Sequence, residues 1–195
     1  MTKTSRLIIL QKAKHLFALH GYEGFSMRTL AKECSVGLSS IYHFFNDKDQ
    51  ILDEIYSSTN KELGIARTHL KKVDSAAAML KQRIEFQFAH IEDVVYVLKY
   101  YLHFRPKFLK LDSGYFPAKG YLHIEEVIRF GVETGEFAID SNDIDKESKV
   151  VAHAINGFLL EYYPNPPKKS EMAAVIDTIY LFLMRSLTNK EVAVK

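Results

Sequence analysis

Apolar residues near the start of the chain recur three and four places apart, which is the spacing of an amphipathic helix. The first such segment ends at Gly21, a residue type that commonly terminates helices. Ser26 can cap a short second helix, a third can start at Gly37, and a fourth runs from Lys48 to about Leu70. Helices this short are unstable alone and must pack on one another. The pattern predicts a compact three-helix head at the start of the chain.

The remainder of the chain predicts longer helices. One runs from Ser75 to about Phe104 and carries apolar residues on two faces, as a central, buried helix does. Two prolines in the stretch 105–117 are expected to break it. Further helices are predicted at about 118–134, at Asp143–Tyr162, and from about Lys168 or Ser170 to Leu187. The predicted fold class is all-α, with an N-terminal helix-turn-helix head and a C-terminal helical bundle.

Composition narrows the class of protein. Of the 195 residues, 47% are hydrophobic and 26% charged, which is typical of a globular protein. The single cysteine, Cys34, excludes an intrachain disulfide, and no stretch approaches the ~20 apolar residues of a membrane span. We therefore expect a cytoplasmic protein that does not enter the membrane. Residues 1–72 hold 11 Lys/Arg against 7 Asp/Glu, whereas residues 73–195 hold 15 against 17, so the front half is the one suited to a polyanion.

The stretch from Phe25 to Leu52, FSMRTLAKECSVGLSSIYHFFNDKDQIL, carries the functional motif. With the helix before it, it resembles the DNA-reading head of the TetR family of bacterial transcriptional regulators. The matching residues are Ala13, Leu16, Phe17, Gly21, Tyr22, Phe25, Leu30, Ala31, Val36, Ile41, Tyr42, Phe45, Lys48, Asp49 and Leu52. The rear resembles the family only in its helical layout and in the Gly-Glu-Phe turn at 135–137.

Two features depart from the family pattern. Ser35 stands where the family usually has glycine, and a positive φ there would cost a serine on the order of 1 kcal/mol. Gly37 replaces the usual serine cap of the recognition helix, and Ser39 replaces the usual glycine two places on. A glycine cap is only slightly weaker than serine, so we expect the fold to survive.

The short third helix supplies the predicted DNA contacts. Its small N-terminal residues let it enter the major groove, where the first turn meets base edges. Leu38 and Ser40 are assigned to base contacts, since leucine suits a thymine methyl group. The residues assigned to phosphates are Ser39, Tyr42, His43 and Lys48, with Ser26 and Arg28 clamping from the second helix. This helix contains no Arg, Asn or Gln, so specificity is expected to depend on apolar contacts, water and DNA shape.

The resemblance implies that two parts of the chain have different functions. Residues 1–50 would bind DNA, with a linker helix at about 48–71, and residues 51–195 would sense a ligand and dimerise. A cavity for a small hydrophobic or aromatic effector is expected, lined by Phe88, Tyr96, Tyr100, His103, Phe104, Phe130 and Phe158. The last two helices would form a homodimer, and two heads could then read a palindromic operator in double-stranded DNA. Repression, relieved by the ligand, is the expected function.

Two other functions stay open: a constitutive DNA-binding protein without a ligand, and a helical small-molecule carrier or enzyme that kept the head. An enzyme is disfavoured because the sequence contains no phosphate-binding glycine loop, no Gly-x-Ser-x-Gly and no His-Glu-x-x-His. His123 and Glu126 share one helical face, but a metal site needs three or four convergent ligands. We expect no catalytic residues, no metal and no cofactor.

Overall fold

The computed structural model describes residues 6–111 and 117–188, and within those ranges it contains α-helices and turns but no strand. The predicted all-α fold class is confirmed. The helices are α1 (Arg6–Gly24), α2 (Met27–Glu33), α3 (Leu38–Tyr42), α4 (Lys48–Thr68), α5 (Ala76–Ala89), α6 (Ile91–Leu111), α7 (Pro117–Glu133), α8 (Ile144–Tyr162) and α9 (Lys169–Thr188), with a 3₁₀ turn at Ser141–Asp143.

Local signals set most helix ends. Gly21 has φ 69° and ψ −171°, so the regular part of α1 stops where the sequence predicts. Ser26 and Ser75 cap α2 and α5 through their side-chain oxygens. At the start of α4, the Gln50 amide donates to Asp47 and the Gln50 side chain accepts from the Asn46 amide, both at 2.8 Å. This reciprocal pair satisfies two amide groups that the helix itself leaves unpaired.

The described residues form two compact units. The first contains the residues up to Thr68 together with Glu92–Lys107, and the second contains His69–Ile91 and the residues from Phe108 onward. The first unit therefore includes all of α4 and most of α6. The functional division at residue 50 stays a prediction.

The core of the first unit is built from the apolar faces of α1 to α4 and of α6. Its fully buried side chains include Ile9, Phe17, Leu30, Ile41, Phe45, Ile51, Leu52 and Tyr96. Each large apolar side chain buried in this way contributes on the order of 2 kcal/mol. This packing makes the short helices α2 and α3 stable and fixes α3 against its neighbours.

The core of the second unit is built from α5, α7, α8 and α9. The tight turn after α7 depends on Gly131, because a Cβ there would lie 2.2 Å from the Phe137 ring. Gly135 supplies the positive φ (75°) that the turn needs. The Ala138 amide then donates to the carbonyl of Leu187 at 2.8 Å and satisfies one of the last carbonyls of α9.

The single helix predicted from Ser75 to Phe104 is wrong, because the chain breaks at His90, which has φ −114° and ψ 31°. α5 buries its apolar face in the second unit, whereas α6 buries Val95, Tyr96 and Tyr100 in the first. The two apolar faces that indicated one central helix therefore belong to two helices in different cores.

The break predicted at Pro106 is also wrong, since α6 continues through this residue to Leu111. Proline lacks one amide donor, but its φ is compatible with a helix. The predicted ends of α7, α8 and α9 agree with the structure to within two residues.

Candidate nucleic-acid interface

Two backbone hydrogen bonds hold the turn between α2 and α3. The Val36 amide donates to the Ala31 carbonyl and the Ser35 amide to the Lys32 carbonyl, both at 3.0 Å. This pair is a Schellman motif, which ends a helix with one left-handed residue. That residue is Ser35, with φ 54°. The strain that the sequence indicated here is present, at a cost of about 1 kcal/mol.

Helix α3 buries one face and exposes the other. Ile41 on α3 and Phe45 just after it are 0% and 1% exposed, and they anchor the helix in the first unit. Gly37 is its N-cap, in an extended conformation. The predicted contact residues of this segment lie away from the core: Ser39, Ser40, Tyr42 and His43 are exposed, and Leu38 is half-buried. The structure therefore brings five of the eight predicted DNA-binding residues onto one short, accessible segment.

The two predicted residues on α2 differ in their contacts. Ser26 is half-buried, and its Oγ accepts the Thr29 amide at 3.0 Å and lies 2.7 Å from Thr29 Oγ1. Arg28 is exposed. Ser26 therefore has a structural task as the cap of α2, and the phosphate contacts of both residues stay predictions.

The last predicted residue, Lys48, is half-buried and lies over the ring of Tyr22. Its Nζ is 3.6 Å from the ring centroid and donates to the Tyr22 carbonyl at 3.3 Å. The Tyr22 hydroxyl donates to Asp49 Oδ1 at 2.7 Å. That hydrogen bond, with burial, raises the pKa of Tyr22 to about 12, so the phenol stays protonated. The sequence motif contains Tyr22 but does not reveal this contact.

Four of the seven predicted ligand-lining residues, Tyr96, Tyr100, His103 and Phe104, lie on α6 in the first unit. The Tyr96 hydroxyl donates to the Leu52 carbonyl at 2.7 Å, and the Tyr100 hydroxyl donates to Asp53. Burial raises the pKa of both phenols. Both hydroxyls already have partners within the first unit, and the role of these four residues in lining a ligand cavity stays a prediction.

The other three predicted lining residues, Phe88, Phe130 and Phe158, lie on α5, α7 and α8 of the second unit. Phe88 is 3% exposed, and its ring centroid is 6.1 Å from that of Tyr162. Phe130 and Phe158 are half-buried. Their role in binding a ligand stays a prediction.

A cleft of about 330 Å³ opens between α5 and α9 in the second unit. Its lining is Lys81, Glu85, Lys169, Met172, Ala173, Ile176 and Asp177, which includes none of the predicted residues.

Over the part of the chain that the structure describes, no three His, Cys, Asp or Glu side chains are grouped to hold a metal. In the same ranges, every helix is too short or too polar to span a membrane.

Comparison with known proteins identifies the head. The family model for bacterial regulatory proteins of the tetR family matches residues 9–55. The chain carries a TetR-family helix-turn-helix head. An HTH-type transcriptional regulator of Bacillus subtilis (strain 168), YhgD, is 35% identical over 63 residues, which are 32% of this chain and 33% of that protein. The match thus spans about a third of this curated relative's length.

Solved structures resemble the chain over nearly its whole length. PfmR from Thermus thermophilus has a TM-score of 0.66 at 23% identity, covering 93% of this chain and 98% of that one. FadR from Bacillus subtilis, solved in complex with stearoyl-CoA, has a TM-score of 0.62 at 16% identity, covering 94% and 100%. At these identities the likeness shows a shared fold, with a helical domain following the TetR-family head.

Two long side chains that no sequence motif indicated make contacts with the TetR-family head. Arg6 forms a double hydrogen bond with Glu54 of α4, and its guanidinium lies 4.8 Å from the centroid of the Phe45 ring. Lys99 of α6 donates to the carbonyl of Leu19 at 3.1 Å, near the end of the regular part of α1. Burial lowers the pKa of Lys99. These contacts join residues 48 and 80 positions apart, so no local sequence signal could have found them.

Proposed function

We propose that the chain is a transcriptional repressor that binds a palindromic operator as a homodimer and releases it when a small hydrophobic or aromatic ligand binds. The observation that carries DNA binding is the geometry of α3, where Ile41 and Phe45 are buried and the opposite face is exposed. A short helix held in this way can enter the major groove without unfolding any of its contacts.

The proposed contacts divide into two kinds. Leu38 and Ser40, in the first turn of α3, would meet base edges. Ser39, Tyr42, His43 and Lys48 would contact phosphates, and Ser26 with Arg28 would hold the opposite strand of the groove from α2. Because phosphate contacts carry no sequence information, specificity would reside in Leu38, Ser40 and the shape of the DNA.

The test of DNA binding is fluorescence anisotropy with duplexes from the region upstream of the protein's own gene. We expect Leu38→Ala to cost about 1–3 kcal/mol on the operator and little on random DNA. Tyr42→Ala should weaken binding to both, and Tyr42→Phe, which retains the ring but loses the hydroxyl, should weaken it as well, because the hydroxyl makes the proposed phosphate contact. Equal affinity of the parent protein for upstream and random duplexes of the same length would refute the proposal.

The dimer is proposed to form through α8 and α9. Leu181 and Phe182 on α9 are 54% and 59% exposed, and Val150 on α8 is 55% exposed. Gly157, also exposed on α8, would let a partner helix approach closely. Sedimentation equilibrium should show a dimer that Phe182→Glu dissociates, whereas Ile65→Glu, at 51% exposure on α4, should leave it intact. A monomeric parent protein would contradict the proposal.

The proposed ligand site lies in the second unit, whose helices α5, α7 and α8 carry Phe88, Phe130 and Phe158. Support comes from the fold of FadR, which was solved with stearoyl-CoA bound. A ligand can release DNA only if it prefers the conformation that does not bind DNA. We expect an apolar compound that raises the melting temperature also to release the operator, and Phe158→Ala to weaken both effects. Failure of every apolar compound in a broad panel would favour a constitutive DNA-binding protein.

A further inference from the structure

The ring of Tyr22 lies between a cation and an imidazole. Lys48 Nζ is 3.6 Å from the ring centroid, and the ring centroid of His103 is also 3.6 Å away, with its plane inclined by only 13°. Both groups cannot occupy one face at that distance, so they cover opposite faces of the phenol. The stack joins the start of α4, the end of α1 and α6 within the first unit.

Tyr22 is itself fixed in place. Its hydroxyl donates to Asp49 Oδ1 at 2.7 Å, and Phe104 meets its ring edge-on at a centroid distance of 5.7 Å. Lys48 is thus held by two groups of one residue, the ring face and the carbonyl oxygen. A lysine ammonium on a flexible stem loses rotamer entropy when it is immobilised. Because the ring and carbonyl of Tyr22 already restrict Lys48, part of this entropy is lost before any anion binds.

The charge of Lys48 is held but not neutralised. Within residues 6–111 and 117–188, no carboxylate forms an ion pair with its ammonium, and Asp49 bonds to the Tyr22 hydroxyl instead. Lys48 is also the first residue of α4, where the helix dipole disfavours a cation. The cation–π contact with Tyr22 offsets part of this unfavourable interaction. An anion that binds beside Lys48 would pair with this ammonium and remove the unfavourable interaction.

We propose that Tyr22 is a positioning residue that holds the Lys48 ammonium in place for a DNA phosphate, and that His103 supports the ring from its other face. This inference rests on the proposed function. It gives the Gly-aromatic pair at residues 21 and 22 a role in DNA binding beyond the packing of α1. It also makes the contact between Lys48 and a phosphate depend on α6, which carries His103.

The test is the salt dependence of operator affinity, measured by anisotropy between 50 and 200 mM salt. Each phosphate contact contributes about 0.9 to the slope of log K against log salt. In a dimer, Lys48→Met should therefore reduce the slope by about 1.8. Tyr22→Leu should reduce it similarly, whereas Tyr22→Phe, which retains the ring face but releases Asp49 from its hydrogen bond, should reduce it by less than Tyr22→Leu does. His103→Ala should reduce it in part, and His103→Phe should restore it.

Several outcomes separate this inference from its alternatives. A parent slope in Lys48→Met would show that Lys48 contacts no phosphate and would overturn it. A parent slope in Tyr22→Leu would show that the ring is merely structural. Circular dichroism checks folding, and if Tyr22→Leu is unfolded, the pair His103→Ala and His103→Phe decides. Absence of operator binding by the parent protein would refute the proposed function itself, which is a different result.

Discussion

Glu136 in the turn after α7 closes the N-terminus of α5, and its removal gives a sharp test of the fold. Its Oε1 accepts the Ala76 amide at 2.9 Å, and its Oε2 accepts the Ala77 amide at 3.1 Å and the Ser75 hydroxyl at 2.8 Å. These hydrogen bonds favour the carboxylate and lower the pKa of Glu136. The interaction links two segments about sixty residues apart.

We expect Glu136→Gln to destabilise the protein at pH 7. Glutamine keeps one acceptor oxygen but loses the other, and it loses the charge that favours a helix N-terminus. Capping interactions of this kind contribute about 1 kcal/mol to stability. The partial exposure of Glu136 argues against a larger value, because solvent screens the charge. For a chain of this length, about 1 kcal/mol corresponds to about 2–4 °C in melting temperature. Thermal unfolding followed by circular dichroism measures it.

The effect should depend on pH with a definite sign. The pKa of Glu136 in the folded protein is below its unfolded value of about 4.3. The stabilisation by the carboxylate is therefore complete above about pH 4.3 and disappears as pH falls through the folded pKa. The gap between the parent protein and Glu136→Gln should be constant from pH 7 to about pH 5 and should narrow at lower pH.

Glu133, three residues earlier and exposed, provides the matched control. Within the described ranges it forms no hydrogen bond or ion pair, so Glu133→Gln should leave the melting temperature within about 1 °C of the parent value. Equal losses in the two variants would show that general charge, rather than capping, is responsible. A gap for Glu136→Gln that stays unchanged to the lowest pH at which both proteins are folded would also refute the reasoning.

Two further predictions concern single residues of the first unit. Ser35→Gly should stabilise the protein by about 0.5–1 kcal/mol in urea unfolding, because glycine removes the strain of the positive φ. Ser40→Gly, inside α3, should lower the stability instead. A change of the same sign in both variants would contradict the assignment of strain to Ser35. Tyr96→Phe should cost about 1 kcal/mol, because it deletes a fully buried hydroxyl that donates to the Leu52 carbonyl; an unchanged urea midpoint would mean that this hydrogen bond contributes nothing.

Most of the fold could be predicted from local patterns. Caps at Ser26 and Ser75 and the stop at Gly21 depend on residues within one helical turn, and such signals are visible in any sequence. The break at His90 carried no such signal, because neither glycine nor proline marks it. It reflects the separate cores into which α5 and α6 pack, which local spacing cannot show.

Local patterns also predicted which face of α3 is available for DNA. The apolar positions Ile41 and Phe45 implied which face of α3 is buried, and so which residues on it are exposed. The ring beneath Lys48 was not predictable, since Tyr22 lies 26 positions away. The predicted ligand-lining set was divided between two units for the same reason.

Helix spacing, caps and the motif from Phe25 to Leu52 were sufficient to establish an all-helical chain with a TetR-family head, because these features depend on neighbours in sequence. Tertiary structure alone decided that Tyr96 is a core residue, that Arg6 joins α1 to α4, and that His103 and Lys48 share one ring. Such pairings depend on which side chains folding brings together across long stretches of chain. Many partners of suitable chemistry compete for each of them, and only the packed arrangement of the helices selects one.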